Sequence, residues 1–212
     1  MKQLYNYKPL KVLDKTYIES IIPIKYEYKK RYKIVTYVPL EYVDKLTFEM
    51  GNAGAGIIGN YDLCSFRIKG LGTYRPLEFT KPFKGEQGKI SFEEEIRLEM
   101  ECAPSNLDEV LNALLENHPY EEVAYEVYEF LKRDKIPSLI KVILNKPIKL
   151  SHIVKRIKKD VKESDLVFNP ETKNLLVCEI QEIDEETIKL AIKHKCNLII
   201  SVLKNKIIFK KV

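Results

Sequence analysis

The sequence is poor in the residues that build metal and disulfide sites. Its 212 residues include only four cysteines, and these are far apart: Cys64, Cys102, Cys178 and Cys196. No two of them form a CxxC pair, which is the spacing that structural zinc sites use. We therefore predict reduced thiols that are mostly buried, as in proteins of a reducing compartment.

Long apolar runs are also missing. No stretch of about 20 apolar residues occurs, which argues against a membrane-spanning helix, and the N-terminal residues lack the apolar core of a signal peptide. The 36 basic and 31 acidic residues leave a net charge of only +5. Such a small excess is typical of a solvated surface. We expect a cytoplasmic protein with no nucleic-acid partner and no membrane partner.

Glycine is scarce everywhere except in one segment. All eight glycines lie between Gly51 and Gly88. This concentration indicates either a loop that needs positive φ angles and close backbone approach, or a pocket whose walls are backbone amides. The residues alone leave both interpretations open.

The patterning of residues 31–131 predicts the order strand, helix, strand pair, strand, helix, strand. The strand pair, 62–70 and 71–79, is expected to turn at Gly70 or Gly72, and Ser105 is the predicted N-cap of the second helix. Doubled βαβ units of this length place both helices on one face of an antiparallel sheet, which is the ferredoxin-like pattern. The other face is rich in tyrosine, which favours a partner surface.

The two ends of the chain have a different character. Residues 1–30 show no clean period and are predicted to be an N-terminal arm. Residues 132–212 are predicted to be a small α/β domain, with a linker over 132–147, a helix over 150–161 and a second helix capped by Asp184. The expected fold class is α+β: a ferredoxin-like domain over 31–131 followed by this small domain.

Two motifs resemble the Nif-three-like (YqfO) family, whose members are often labelled GTP cyclohydrolase I type 2 homologues. These are GAGIIGNYDLCSF with GLGTYRPLEF, followed by HPYEEVAYEVY. The resemblance covers about residues 31–131 and implies the inserted domain of that family, which is similar to PII and CutA proteins. Such modules assemble as trimers and bind small ligands between subunits. Residues 132–212 resemble the family's C-terminal half more weakly, and nothing resembles the larger N-terminal half.

The resemblance also implies a two-metal site, which the family builds from histidines and carboxylates. The sequence has three histidines, each isolated from the others: His118, His152 and His194. Ile57 and Leu63 stand where the family commonly has histidine, and Val202, Lys204 and Lys206 stand in the region where the family has a metal-binding histidine. We therefore expect that the metal ligands, and with them the divalent cofactor, are lost.

The candidate ligand-binding residues come from the same two motifs: Gly59, Asn60, Tyr61, Cys64, His118, Tyr120, Glu121 and Glu122. For His118 the alternative is a purely structural role at a helix end, and for Asn60 and Tyr61 it is a role in satisfying the turn. Three basic residues are candidates to meet an anionic ligand, or else belong to a solvated strand face: Arg67, Lys69 and Arg75.

These expectations favour a non-catalytic binding and regulatory protein. It is predicted to be a homo-oligomer, a trimer or a hexamer, that binds a small molecule. The alternative is a metal-dependent hydrolase of the GTP cyclohydrolase I type 2 kind with a divergent site. A third hypothesis is a subunit that completes another chain carrying the missing half. Ser65 and Ser201 have no recognisable base partner, so nucleophilic catalysis is unsupported.

Overall fold

The computed structural model describes residues 8–156, 170–203 and 207–212, and the chain divides into two compact units. The central unit is Lys29–Lys132, and the terminal unit combines the described residues of Met1–Tyr28 and Arg133–Val212. The strands and α-helices of the described residues are, in chain order, β1 (Ile18–Lys25), β2 (Tyr28–Pro39), α1 (Val43–Asn52), β3 (Ser65–Tyr74), β4 (Ser91–Cys102), α2 (Leu107–Asn117), β5 (Tyr125–Arg133), β6 (Leu139–Lys149), α3 (Leu150–Arg156), β7 (Glu171–Cys178), α4 (Glu185–Lys193), β8 (Leu198–Val202) and β9 (Ile207–Lys211).

The central unit is a four-stranded sheet with the strand order β3-β4-β2-β5. β4 pairs antiparallel with both β2 and β3. Alternate residues of β4, such as Leu98 and Met100, are buried in one core with Leu46 of α1 and Leu114 of α2. Both helices therefore cover the same face of the sheet, and the succession β2-α1-β3-β4-α2-β5 is the doubled βαβ arrangement. The opposite face, which no helix of this unit covers, is called the open face below.

The predicted strand pair with a turn at Gly70 or Gly72 is wrong. β3 is one continuous strand, in unbroken register with β4 from Ser65 opposite Met100 to Tyr74 opposite Ser91. Neither glycine has a positive φ, so both are compatible with a strand, and the long partner β4 supplies hydrogen bonds along the whole length. The turn lies later, in the loop of residues 75–90.

Two helix starts test the predicted caps. The Asp184 side chain accepts a hydrogen bond of 2.8 Å from the backbone N–H of Thr187, so this N-cap of α4 is confirmed. The predicted cap Ser105 is wrong, because it lies inside a short 3₁₀ turn and the N-cap position of α2 falls on Asn106. The predicted helix over 150–161 begins at Leu150, and its last residues lie outside the described part of the chain.

The terminal unit is a five-stranded sheet with the order β1-β6-β7-β8-β9, in which only the β7–β8 pair is parallel. The structure differs here from the sequence-based expectation. Residues of the predicted arm form β1, and residues of the predicted linker form β6, the strand between β1 and β7. Ile140, Val142 and Leu144 of β6 are fully buried, and this burial depends on pairing with β1 and β7, which a local sequence pattern does not reveal. No helix in the described residues is long and apolar enough to cross a membrane.

Candidate ligand-binding cleft

A cleft of about 630 Å³ opens beside β3 in the central unit. Residues 68–74 of β3 form one side, and Glu95 and Arg97 of β4 reach it from the open face, since they alternate with the core residues Ile96 and Leu98. The loop after β3 contributes residues 75–77, Thr80, Pro82 and Phe83. The far side is formed by Tyr37 of β2 and by residues 120–122 and 124.

Two glycines of β3 make room in this cleft. A Cβ atom built on Gly70 would meet no heavy atom within 4 Å, so the space in front of this residue is open. A Cβ atom on Gly72 would lie 2.2 Å from Glu95 Oε2. The Glu95 carboxylate therefore lies against the backbone of β3, in a position that only glycine at residue 72 permits.

The Glu95 carboxylate holds the phenol of Tyr120. The Tyr120 hydroxyl donates a 2.7 Å hydrogen bond to Glu95 Oε1. Burial, followed by this carboxylate, raises the pKa of Tyr120, so the phenol stays protonated and acts as a donor. The Phe83 ring lies 5.8 Å from the Tyr120 ring and 5.7 Å from the Tyr42 ring. Phe83 and Tyr120 form an aromatic wall on one side of the cleft, and Tyr42 contacts this wall through Phe83.

His118 lies behind this wall and is buried. Its Nε2 is 3.0 Å from the Tyr37 carbonyl oxygen, and its Nδ1 accepts a 3.2 Å hydrogen bond from the Tyr120 backbone N–H. Burial lowers the pKa of His118. The two partners fit a neutral ring that carries its proton on Nε2. His118 thus connects β2 to the backbone of Tyr120 without lining the cleft itself.

Several charged side chains line the cleft. Some of them bond to neighbouring residues, and another is left without an ion pair. Glu121 Oε2 accepts a 2.8 Å hydrogen bond from the Lys81 backbone N–H, which ties the loop after β3 to the segment after α2. Arg97 donates to Glu99 at 2.9 Å and to the Tyr37 hydroxyl at 3.0 Å. Arg75 lines the cleft and has no ion pair within 4.0 Å among the residues that the structure describes. This cation remains available to an anionic group.

The eight predicted ligand-binding residues fall into two groups. Tyr120, Glu121 and Glu122 line the cleft, with His118 behind them. The other four belong to a turn that precedes β3: Gly59, Asn60, Tyr61 and Cys64. This turn is closed by two backbone hydrogen bonds between Ile58 and Tyr61, of 2.9 and 3.2 Å, and Gly59 has a φ of +65°.

The turn precedes the first residue of β3, whereas the cleft lies beside residues 68–74 of this strand and includes none of the turn residues. Ser65, next to the turn, is opposite Met100, whereas Gly70 in the cleft is opposite Glu95. Five residues of an extended strand span about 17 Å. The structure therefore does not bring the two predicted groups together within one chain. Tyr61, in the turn, is 75% exposed.

Several cleft residues were missed by the sequence analysis, chiefly Tyr37, Phe83, Glu95 and Arg97. The alternation of charged and apolar residues in β4 did indicate a half-exposed strand. It did not show which exposed residues meet the segment after α2. Of the three basic candidates, Lys69 and Arg75 line the cleft. Arg67 instead points to the helix face and forms a 2.6 Å ion pair with Asp44 of α1.

The rest of the open face is a network of ion pairs with exposed apolar residues beside it. Glu99 contacts Lys33 at 2.8 Å and Arg97 at 2.9 Å, and these cations lower the pKa of its carboxyl. Glu101 pairs with Arg31 and with Lys132. The face is therefore more highly charged along β4 than the predicted tyrosine-rich surface suggested.

The histidines are distributed over separate elements. His118 lies in the central unit, while His152 is exposed on α3 and His194 ends α4 in the terminal unit. Within residues 8–156, 170–203 and 207–212, no three His, Cys, Asp or Glu side chains are grouped so that they could hold a metal ion. This set of side chains does not fit the two-metal site that the resemblance implies.

Known proteins resemble the chain in sequence. A GTP cyclohydrolase 1 type 2 homolog from Halalkalibacterium halodurans is 35% identical over 175 residues, which are 81% of this chain and 44% of the relative. A homolog from Bacillus subtilis is 46% identical over 96 residues, 45% of this chain and 26% of the relative. The chain belongs to the GTP cyclohydrolase 1 type 2 homolog family. It spans less than half the length of these curated relatives, and no family model matches it.

Solved structures show the fold of this family member. The crystal structure of a Bacillus cereus protein related to NIF3 superimposes with a TM-score of 0.59 at 22% identity, over 93% of this chain and 52% of that protein. The chain therefore has the NIF3-like fold. The PII-like protein CutA from Nostoc matches 47% of the chain with a TM-score of 0.35. The resemblance inferred from the glycine-rich and HPYEE motifs is confirmed.

Proposed function

We propose that this family member is a non-catalytic, oligomeric binding and regulatory protein that holds a small molecule in the cleft beside β3. The observation that supports this proposal is the cleft itself. Its volume of about 630 Å³ lies within the range of about 300–1,000 Å³ typical of small-molecule sites. Its aromatic wall also matches the usual composition of such sites. The unpaired Arg75 favours a ligand with an anionic group.

The finer fold assignment belongs to the same proposal. The central unit would be a ferredoxin-like domain of the PII/CutA kind, and residues 132–212 the equivalent of the C-terminal half of the family fold. The protein would act in the cytoplasm as a trimer or hexamer of identical chains. Exposed apolar side chains on the open face, such as Phe66 (61% exposed) and Tyr128 (52% exposed), favour a partner surface there. Across such an interface, the turn with Gly59 and Asn60 and the cleft of a second copy would be able to share a ligand.

A thermal-shift screen of the full chain tests the binding proposal. Nucleotides, small organic anions and divalent metals would be added singly, and a true ligand raises the unfolding midpoint because it binds only the folded state. Gly70→Leu fills the open space in the cleft and should abolish the shift. Ser65→Leu, at the start of the same strand and outside the cleft, is the matched control and should retain it. A shift that survives Gly70→Leu would place the ligand elsewhere and contradict the proposal.

The second candidate is a metal-dependent hydrolase. It is favoured by the names of the relatives, which refer to a GTP cyclohydrolase, and it requires bound metal. Metal analysis of protein purified without chelator separates the two candidates. Stoichiometric divalent metal that is lost in His118→Ala, together with turnover of GTP, would favour the enzyme. Binding of a small molecule by metal-free protein without turnover would favour the binding protein.

A further inference from the structure

The loop after β3 presents an aromatic ring in an unusual conformation. Phe79 is 95% exposed, and its φ of +67° lies in the left-handed region. It occupies the second central position of a turn in which the Thr80 N–H bonds to the Leu77 carbonyl oxygen. Glycine or asparagine is the usual residue at such a position, since a bulky side chain is strained there. The position thus combines backbone strain with an apolar ring left in water.

The loop that carries Phe79 is tethered to the body of the central unit. The Tyr74 hydroxyl donates to the Lys84 carbonyl at 2.9 Å, and the Gly88 N–H donates to the Pro76 carbonyl at 2.8 Å. The Lys81 N–H is bonded to Glu121, as described above. The backbone that carries the exposed ring is therefore tethered, and less backbone freedom remains to be lost when the ring binds a partner.

The same loop carries part of the cleft. Leu77 and Thr80, on either side of the turn, line the cleft, while Phe79 lies outside it. An exposed apolar ring and an open cleft with an aromatic wall are thus neighbours on one surface. If two copies meet around a two-fold axis so that one ring enters the cleft of the other copy, the second ring enters the cleft of the first, because such an interface is reciprocal.

We propose that Phe79 of one copy inserts into the cleft of a second copy, so that paired loops join two chains. The occupant of this cleft in the ligand-free protein is then the partner's Phe79, and a small-molecule ligand competes with it. This inference rests on the proposed function only in that both use the same cleft. A reciprocal contact of this kind joins chains in pairs, and it is compatible with a dimer or with a hexamer.

The first test is a pair of glycine variants. Phe79→Gly removes the ring and relieves the strained φ, so the protein should fold at least as well as the original. Its self-association, measured from mass against concentration by sedimentation, should weaken about tenfold or more. Leu63→Gly is the matched control, because Leu63 is also an exposed apolar residue at positive φ (+49°) but lies outside the cleft. Equal association of Phe79→Gly and the original chain would overturn the inference.

The second test uses the absence of tryptophan from the chain. Phe79→Trp introduces a single indole whose emission reports its environment. We expect blue-shifted emission when Phe79→Trp is assembled. We expect emission typical of exposed indole when this variant is highly diluted, and also when it carries the additional substitution Gly70→Leu, which fills the cleft. Exposed emission at every concentration would overturn the inference. So would blue-shifted emission in a protein that stays monomeric, because the ring would then occupy its own cleft.

These outcomes also separate the inference from the proposed function. If Phe79→Gly still shows a ligand-induced thermal shift but associates normally, the binding function stands and the loop contact fails. If Phe79→Gly loses association while the screen yields no ligand for it or for the original chain, the loop contact stands and the binding function fails.

Discussion

At the scale of single residues, the cleft depends on a connected series of side chains that the sequence separates widely. Gly72 leaves space for the Glu95 carboxylate, which accepts the hydrogen bond of the Tyr120 phenol. The backbone of Tyr120 is in turn fixed by the buried ring of His118, which also bonds to Tyr37. Removal of the Tyr120 phenol leaves the part-buried Glu95 carboxylate without this partner, and removal of the His118 ring leaves the Tyr120 N–H and the Tyr37 carbonyl without theirs, and each loss is expected to cost stability.

His118 should make stability depend on pH. Its pKa in the folded protein is lowered from the ordinary value of 6.5 by burial, so the unfolded chain binds this proton more readily. As the pH falls below about 6.5, the unfolding free energy should therefore decrease, by at most about 1.4 kcal/mol per pH unit from this one group. Denaturant unfolding between pH 7.5 and 5 measures the effect, and His118→Gln should reduce the slope.

The matched control for this prediction is His152→Gln, because His152 is exposed on α3. This variant should retain the slope of the original chain. Parallel stability curves for the original protein and His118→Gln would contradict the assignment of His118 as a buried, neutral ring. The chosen pH window lies above the range in which ordinary carboxylates titrate, so Glu99 and similar groups contribute little to the difference.

At the scale of elements, local signals identified the helices and most of the strands but missed β6. The acidic first turn and the Asp184 cap of α4 are readable from sequence, because they act within four residues. β6 was mistaken for a linker, since its burial depends on β1 and β7, which are distant in sequence. Pro147 also lies in β6, at a point where the register with β7 is interrupted, so proline did not mark a boundary here.

The two predicted caps give a paired test at this scale. Asp184→Ala removes the acceptor of the Thr187 N–H and should lower the thermal midpoint by about 2 to 4 °C, with faster amide exchange in the first turn of α4. Ser105→Ala should change the midpoint by less than about 1 °C, because Ser105 bonds only to the Asn106 side chain among the described residues and caps no helix. Equal losses in the two variants would contradict the capping role of Asp184.

At the scale of the whole molecule, the central unit is an insertion between two parts of the terminal unit. The chain leaves the terminal unit at Tyr28 and returns at Arg133, and β2 and β5, which carry these two points, are neighbours in the central sheet. Within the terminal unit, the Asp134 N–H bonds to the Glu27 carbonyl at 2.8 Å, so entry and exit are close together. Insertions of this geometry leave the host sheet intact.

We therefore expect the central unit to fold alone. A fragment of residues 28–133 retains both helices, all four strands and a complete core of its own. It should unfold cooperatively, with a single sigmoidal transition in circular dichroism and dispersed amide resonances. A random-coil spectrum for the fragment, with a folded full chain as the reference, would show that the core depends on the terminal unit.

The sequence by itself determined the features that act over short distances or that are written as motifs. It determined the order of helices and strands in the central unit except that it divided β3 into two strands, and it determined the cap of α4 and the membership of the family through the glycine-rich and HPYEE segments. Only the tertiary structure decided that Gly70 and Gly72 lie inside a strand and that Glu95 meets Tyr120. It also decided that the predicted site residues divide between the turn that precedes β3 and the cleft. The physical reason is that periodicity reports which side of an element is buried, whereas register and burial from both sides depend on strands that are distant in the chain.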